Sequence, residues 1–262
     1  MELLLDLAPC SEGAILPILP KTAPNLPKAC HTRNGAPYMP PIPVGTTLIG
    51  DTAQFLVVGH MGYPIPQANS YREVIAPLIQ AMSANPGTDT EVRFTLKKEG
   101  ISLAWITLSD SGAEGMREDT SGPAIDDYLR TQLPVAYARG TLLPDSPWAL
   151  RACLSDYALR DRFDIICTSG GTGLTSRDQT PETTEKLLDR TLPGFVIAMM
   201  TNSLAKTPHA VLSRATAGII GQSLVINLPG SRKAVLENLE AIAPALKHTL
   251  AKLHNDPSDC GG

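Results

Sequence analysis

The residue types best suited to chemistry fall in one run, Thr168-Ser169-Gly170-Gly171-Thr172-Gly173-Leu174-Thr175-Ser176-Arg177-Asp178-Gln179-Thr180-Pro181-Glu182. Glycines directly after a strand let the backbone approach a phosphate closely and aim several N–H groups at it. Arg177 adds a guanidinium fork for phosphate oxygens, and Asp178 offers a hard oxygen to a divalent cation that would neutralise them. The run has neither the Gly-Lys-Ser/Thr of a Walker A loop nor the G-x-G-x-x-G spacing of a dinucleotide site. A bare Gly-Gly-x-Gly reads equally well as a tight turn. The Arg-Asp pair behind it turns the reading toward phosphate chemistry.

Further short motifs stand in order around this run: Leu108-Ser109-Asp110, Asp119-Thr120-Ser121-Gly122, Pro144-Asp145, Leu212-Ser213-Arg214-Ala215-Thr216-Ala217-Gly218 and Leu228-Pro229-Gly230-Ser231. Taken singly they are bland. Asp145 before Ser146-Pro147 reads as a turn residue, and Ser213-Arg214 as a surface pair. As an ordered set they resemble the molybdopterin-binding domain of the Mog- and MoaB-type molybdopterin adenylyltransferases and of their plant and animal fusion relatives.

That resemblance implies an enzyme of molybdenum-cofactor biosynthesis, a nucleotidyltransferase that joins adenylate from ATP to the terminal phosphate of molybdopterin with Mg2+. It also implies a cytoplasmic homotrimer with transient contacts to other molybdenum-cofactor enzymes. On the same basis Ser169, Gly170, Gly171, Thr172, Gly173 and Arg177 would cradle phosphate, and Asp145 and Asp178 would be the essential acidic pair that holds the metal. Ser213 and Arg214 would hold the pterin or its phosphate, and Pro229, Gly230 and Ser231 would close over the pterin. Asp110 matches an acidic position in the same pocket with no assigned role. Two other readings stay open: a module that binds molybdopterin without catalysis, and the later insertion of molybdate into adenylyl-molybdopterin. Retention of both Asp145 and Asp178 counts against the first, and a lead segment too short and proline-rich to replace the additional domains of the insertion enzymes counts against the second.

The elements that must position these residues follow from periodicity. Ile101–Leu108, Val135–Leu143, Phe163–Thr168 and Leu224–Leu228 have strand character. Between them, helices are predicted from Ser121, acting as cap, to about Leu133, from Trp148 to about Arg162, and from Pro181 onward. Lys233–Leu253 carries Leu236, Leu239, Ile242, Leu246 and Leu250 at helical spacing, with Pro244 expected to bend it. Such alternation predicts an α/β fold, a mostly parallel sheet with helices on both faces, and the loops after the strands on one edge. Residues 100–256 are read as this domain.

Residues 1–99 read differently. Prolines recur from Pro9 to Pro43, which argues for an extended, wrapping or poorly ordered lead segment. Thr46–Ile49 and Gln54–Val58 then suggest a hairpin around Gly50-Asp51, Tyr71–Ala84 a helix bent at Pro77, and Thr90–Leu96 a strand. No motif here carries chemistry, so a polypeptide starting near Glu91 is expected to keep the activity.

Composition narrows the classes. A formal charge of -4 without a Lys/Arg run argues against a nucleic-acid partner. Five widely spaced cysteines without C-x-x-C suggest neither a disulfide framework nor a zinc site, and a reducing compartment fits them. His31, His60, His209, His248 and His254 lack ligand spacing. No apolar stretch approaches the roughly 20 residues a membrane helix needs, and Glu2, Asp6, Pro17 and Pro20 do not suit a signal peptide.

Overall fold

The computed structural model describes residues 2–20, 29–32, 42–67, 70–87 and 92–254. The chain divides into two compact units, Met1–Glu99 and Gly100–Gly262.

In the first unit, strands β1 (Glu2–Asp6), β2 (Ile15–Pro20), β3 (Cys30–Thr32), β4 (Thr47–Ile49), β5 (Gln54–Gln67), β6 (Ser70–Ala81) and β7 (Val92–Lys97) close a barrel in the order β1-β3-β2-β6-β5-β4-β7. The predicted hairpin around Gly50-Asp51 is present as β4 against β5. One expectation is corrected. The stretch predicted as a helix bent at Pro77 is a strand: Glu73 and Ile75 are exposed while Val74 and Ala76 are buried, a period of two. Pro77 would break a helical ladder and here lies opposite His60, beside the register shift at Val57/Gly59. The proline-rich segment is extended where it is described, as strands of the barrel. β1 already pairs with β7, and β2 and β3 are staves of the barrel; residues 21–28 and 33–41 of that segment lie outside the described residues. Closure removes exposed edges; Leu5, Ile18, Leu48, Ile79 and the edge-to-face pair Phe55–Phe94 are fully buried in this unit, and Leu19, on the other face of β2 from Ile18, packs with Ala29 and Ala76.

The second unit holds a sheet of β8 (Ile101–Leu108), β9 (Val135–Leu143), β10 (Ile165–Ser169), β11 (Arg190–Thr191), β12 (Ala217–Ile220) and β13 (Ser223–Leu228) in the order β11-β12-β13-β10-β8-β9. The run β13-β10-β8-β9 is parallel. β11 and β12 add antiparallel pairings that the sequence did not suggest, because two short strands give too few positions for a period to register. Pairings of Ser169 with Thr107 and Leu228, and of Leu108 with Leu143, bring the carboxyl ends of the parallel strands to one edge.

The helices of this unit are α1 (Asp110–Ala113), α2 (Ser121–Gln132), α3 (Pro147–Ser155), α4 (Thr180–Glu185), α5 (Pro193–Leu204) and α6 (Arg232–Leu253). Ile125 and Leu129 of α2, Met199 of α5 and Val235, Leu239, Ile242, Leu246 and Leu250 of α6 pack with Leu103, Ile165, Cys167, Leu224 and Ile226 of the sheet. Burial of such side chains stabilises a domain by about 1.5–3 kcal/mol each. Ser121 does not cap α2 as predicted: the N-cap position is Thr120, and it is the side chain of Asp119 before it whose Oδ1 accepts from the N–H groups of Ser121 at 3.0 Å and Gly122 at 2.9 Å. The helix predicted to reach Arg162 is α-helical only to Ser155 and then widens into a π-helical turn, Asp156–Asp161. Within that turn buried Asp161 pairs with Arg139 at 2.9 Å, and the Arg139 guanidinium lies over the rings of Tyr137, Tyr157 and Phe163. α5, with Pro193 in its first turn, was not foreseen.

Candidate functional site

At the carboxyl edge of the parallel strands, a cavity of about 340 Å³ opens between the loops. It is lined by Ser169, Gly170, Gly171 and Asp178 from the segment after β10, by Asp145 after β9, and by Gly230 and Ser231 after β13. The connection from α1 to α2 supplies another wall, from Arg117 to Thr120.

The glycine loop is held by close approach. Gly170 has φ +104°, and a Cβ there would stand 2.5 Å from the carbonyl oxygen of Leu108; at Gly171, φ +64°, it would meet Thr180 Oγ1 at 2.2 Å. Neither position tolerates a side chain without displacing its neighbour. Below the loop runs a buried polar chain: Asn227 Nδ2 donates to Thr168 Oγ1 at 2.9 Å and to Thr184 Oγ1 at 3.1 Å, and Thr184 Oγ1 donates to the Thr180 carbonyl at 2.8 Å. Gly170 N donates to Leu228 O and Ser169 Oγ to Pro229 O, which ties this loop to the Pro229–Ser231 turn. Ser231 caps α6 through Ala234 N.

The acidic residues differ in environment. Asp110 and Asp145 grip each other: Asp145 N donates to Asp110 Oδ1 at 2.9 Å, and Asp110 N donates to Asp145 Oδ2 at 3.3 Å. Burial, and then the charges of Asp110 and Asp178, raise the Asp145 carboxyl above its ordinary value. Asp178 is held below its ordinary value, chiefly by hydrogen bonds from Thr175, whose N–H and Oγ1 donate to Oδ2 at 2.8 and 2.6 Å, with the Gly173 N–H and the Arg214 guanidinium adding to it. Two hard-oxygen donors on one cavity, one of them raised by its acidic neighbours, suit a divalent cation that takes its remaining ligands from substrate phosphate and water. Among the described residues no group of three or more His, Cys, Asp or Glu side chains forms a self-sufficient metal cage.

Other residues singled out from the sequence sit elsewhere. Thr172, Gly173 and Arg177 do not line the cavity. Arg177 pairs with Asp110 at 3.4 Å. Ser213 and Pro229 line a second, mostly apolar cavity of about 220 Å³ with Val196, Met199, His209 and Asn238. Arg214 is committed to the loop: Nε donates to Gly173 O at 2.8 Å, Nη2 donates to Asp178 O, Nη1 pairs with Glu182, and its N–H donates to Thr172 O. These bonds place Arg214 as the support of the Asp178 loop. Sequence reasoning missed Thr107, Arg117 and Glu118 in the cavity wall; only the Asp119-Thr120-Ser121-Gly122 motif beside them was visible. Burial pushes the Cys30 and Cys153 thiols up to about 11 and Cys167 to about 12, which leaves none of these three as a thiolate nucleophile near neutrality.

Residues 104–248, more than half of the chain, match the family described as a probable molybdopterin binding domain. The chain belongs to that family. Among curated relatives it is 36% identical over 170 residues to gephyrin of Dictyostelium discoideum, covering 62% of this chain but 24% of gephyrin, so it spans about a quarter of that relative. It is 39% identical over 152 residues to the molybdopterin adenylyltransferase of Helicobacter pylori strain 26695, covering 56% of this chain and 85% of the relative. Among solved structures, the molybdopterin biosynthesis enzyme MoaB of Thermus thermophilus aligns with a TM-score of 0.55 and 43% identity, over 61% of this chain and 99% of that one.

Proposed function

We propose that this chain acts in molybdenum-cofactor biosynthesis by adenylylating molybdopterin with ATP and Mg2+, releasing pyrophosphate. The observation that carries this reading is the convergence of the Gly170-Gly171 loop, the Gly230-Ser231 start of α6 and the Asp145 and Asp178 carboxylates on one cavity. The relative named as a molybdopterin adenylyltransferase, matched over 85% of its length, supports it.

In the reaction a terminal phosphate oxygen of molybdopterin attacks the α-phosphorus of ATP. A new P–O bond forms as the bond to the bridging oxygen of pyrophosphate breaks. The protein contributes alignment and charge management, with no need for a nucleophilic side chain. With the Gly170 and Gly173 N–H groups taken by Leu228 O and Asp178, the Gly171 N–H on the cavity wall would face the reacting phosphates, and the start of the 22-residue helix α6 adds a favourable dipole for anions. Asp145 and Asp178 would hold magnesium, which supplies positive charge to the α-phosphate and the departing pyrophosphate. A homotrimer is part of this reading; Ile197 of α5 and Val211, 65% and 66% exposed, offer apolar surface for it.

The test is mass analysis of the product from purified protein, molybdopterin, ATP and magnesium without molybdate. Adenylyl-molybdopterin with equimolar pyrophosphate is expected. Molybdopterin retained unchanged on the protein would instead mark a binding module.

A further inference from the structure

The wall of the cavity formed between α1 and α2 is fixed at both of its ends. Met116 N and Arg117 N donate to Ser111 O at 2.9 and 3.2 Å. On the other side Asp119 is fully engaged: Oδ2 accepts from Thr107 Oγ1 at 2.7 Å, and Oδ1 accepts from Ser121 N, Ser121 Oγ and Gly122 N. Asp119 thereby uses the amides at the start of α2 that could otherwise receive an anion.

The charged residues that line the cavity are Glu118, Asp119, Asp145, Asp178 and Arg117. Only the last is a cation. The two nearby arginines are already engaged, Arg177 with Asp110 and Arg214 with Glu182 and the Asp178 loop. Among the described residues no carboxylate is paired with Arg117. An exposed arginine is ordinarily a solvated surface group. This one stands in a wall pinned on both sides, in a cavity otherwise charged against the phosphates it is read to receive.

We propose that Arg117 is a phosphate-binding residue of this site, its guanidinium fork receiving a phosphate group of the substrate. The assignment rests on the adenylyl-transfer reading for the identity of the substrates. Its chemistry, a planar fork donating to two oxygens, suits the polyphosphate of ATP and the terminal phosphate of molybdopterin alike.

The experiment uses the 262-residue chain with Arg117→Gln, Arg117→Lys and, as a control outside the cavity, Arg151→Gln. Calorimetric titration with tripolyphosphate, which requires no turnover, is run beside steady-state kinetics. Loss of a charge-assisted hydrogen bond corresponds to roughly tenfold or more in affinity. Tripolyphosphate binding is therefore expected to weaken by about tenfold in Arg117→Gln, less in Arg117→Lys, and not in Arg151→Gln. A matching rise in the KM for ATP alone assigns the polyphosphate; a rise for molybdopterin alone, with tripolyphosphate binding intact, assigns the pterin's phosphate. Unchanged affinity for all three ligands in a folded Arg117→Gln protein overturns the proposal, and so does an equal loss in Arg151→Gln. Should the wild-type protein make no adenylyl-molybdopterin yet bind tripolyphosphate in an Arg117-dependent way, the proposed reaction fails while the phosphate site stands.

Discussion

The two carboxylates on the cavity are set against each other in their response to protons. Asp145 is raised by burial and by Asp110 and Asp178, so it takes up a proton first as pH falls; Asp178, stabilised as an anion by Thr175, stays charged further into acid. The stability consequences have opposite signs. A charged Asp145 costs the fold stability at neutral pH, a cost relieved as pH falls through its raised value. The contribution of Asp178 is present above the unfolded carboxylate value and lost as pH falls through its lowered one. In metal-free protein Asp145→Asn is therefore expected to match or exceed the wild type in thermal midpoint at pH 7, with the difference shrinking toward about pH 4, whereas Asp178→Asn should lower the midpoint. Differential scanning calorimetry at the two pH values decides it, and a lower midpoint for Asp145→Asn at neutral pH counts against the account. For activity, Asp178→Asn keeps the shape but loses the charge that makes a magnesium ligand. A loss of about 4 kcal/mol of transition-state stabilisation, or roughly a thousandfold, is expected in single-turnover adenylyl transfer. Molybdopterin binding, measured by titration, should stay largely intact. Both aspartates were visible in the sequence through their place in ordered motifs. The role of Arg214 was not, because a side chain that reaches back to Gly173 and Asp178 looks in one dimension like any exposed arginine.

At the scale of elements, the loop after β10 depends on two positive φ angles and on packing that leaves no room for a methyl group. Gly171→Ala is expected to lose more than about 1 kcal/mol of stability from backbone conformation alone, and more from the contact with Thr180 Oγ1. Urea denaturation would show this as a lower midpoint at unchanged slope; an unaltered midpoint would mean the loop adapts at little cost. The parallel strands and α6 were legible because long apolar runs and a sustained helical period survive without tertiary information. Tyr71–Ala84 was misread because Ile75, Leu78, Ile79 and Met82 stand at the i, i+3, i+4, i+7 spacing of a helix. There the exposed Ile75 and the non-helical proline held the better information. The cap of α2 was misassigned by one residue, as Asp119, Thr120 and Ser121 are all good capping types and only the hydrogen bonds show that Asp119 serves the helix start.

At the scale of the whole molecule, the first unit ends at Glu99 and β7 is one of its staves. A polypeptide starting near Glu91 would therefore carry a strand without its barrel. One starting at Lys98 is the better test of whether the second unit suffices for chemistry. It is expected to retain adenylyl transfer within a few-fold of the full chain, and an inactive yet folded product would show that the first unit takes part. Light scattering on the full chain is expected to give three times 27.9 kDa. Ile197→Asp, which puts a charge on an exposed apolar position of α5, should shift the mass toward one copy. A monomeric wild type at working concentration rules the trimer out. The barrel itself was only partly legible, since its closure joins β1 to β7 across about ninety residues of sequence and no local pattern encodes that pairing.

The mutual grip of Asp110 and Asp145 carries a consequence for how these positions can drift over time. Each carboxylate accepts the other's backbone N–H, so each side chain anchors the loop that carries the other. Their substitutions should be non-additive: in a double-mutant cycle, Asp110→Ala and Asp145→Ala together should cost markedly less than the sum of the single changes. Across related chains, a replacement at one should be accompanied by a replacement at the other, the two loops being inherited as a single unit.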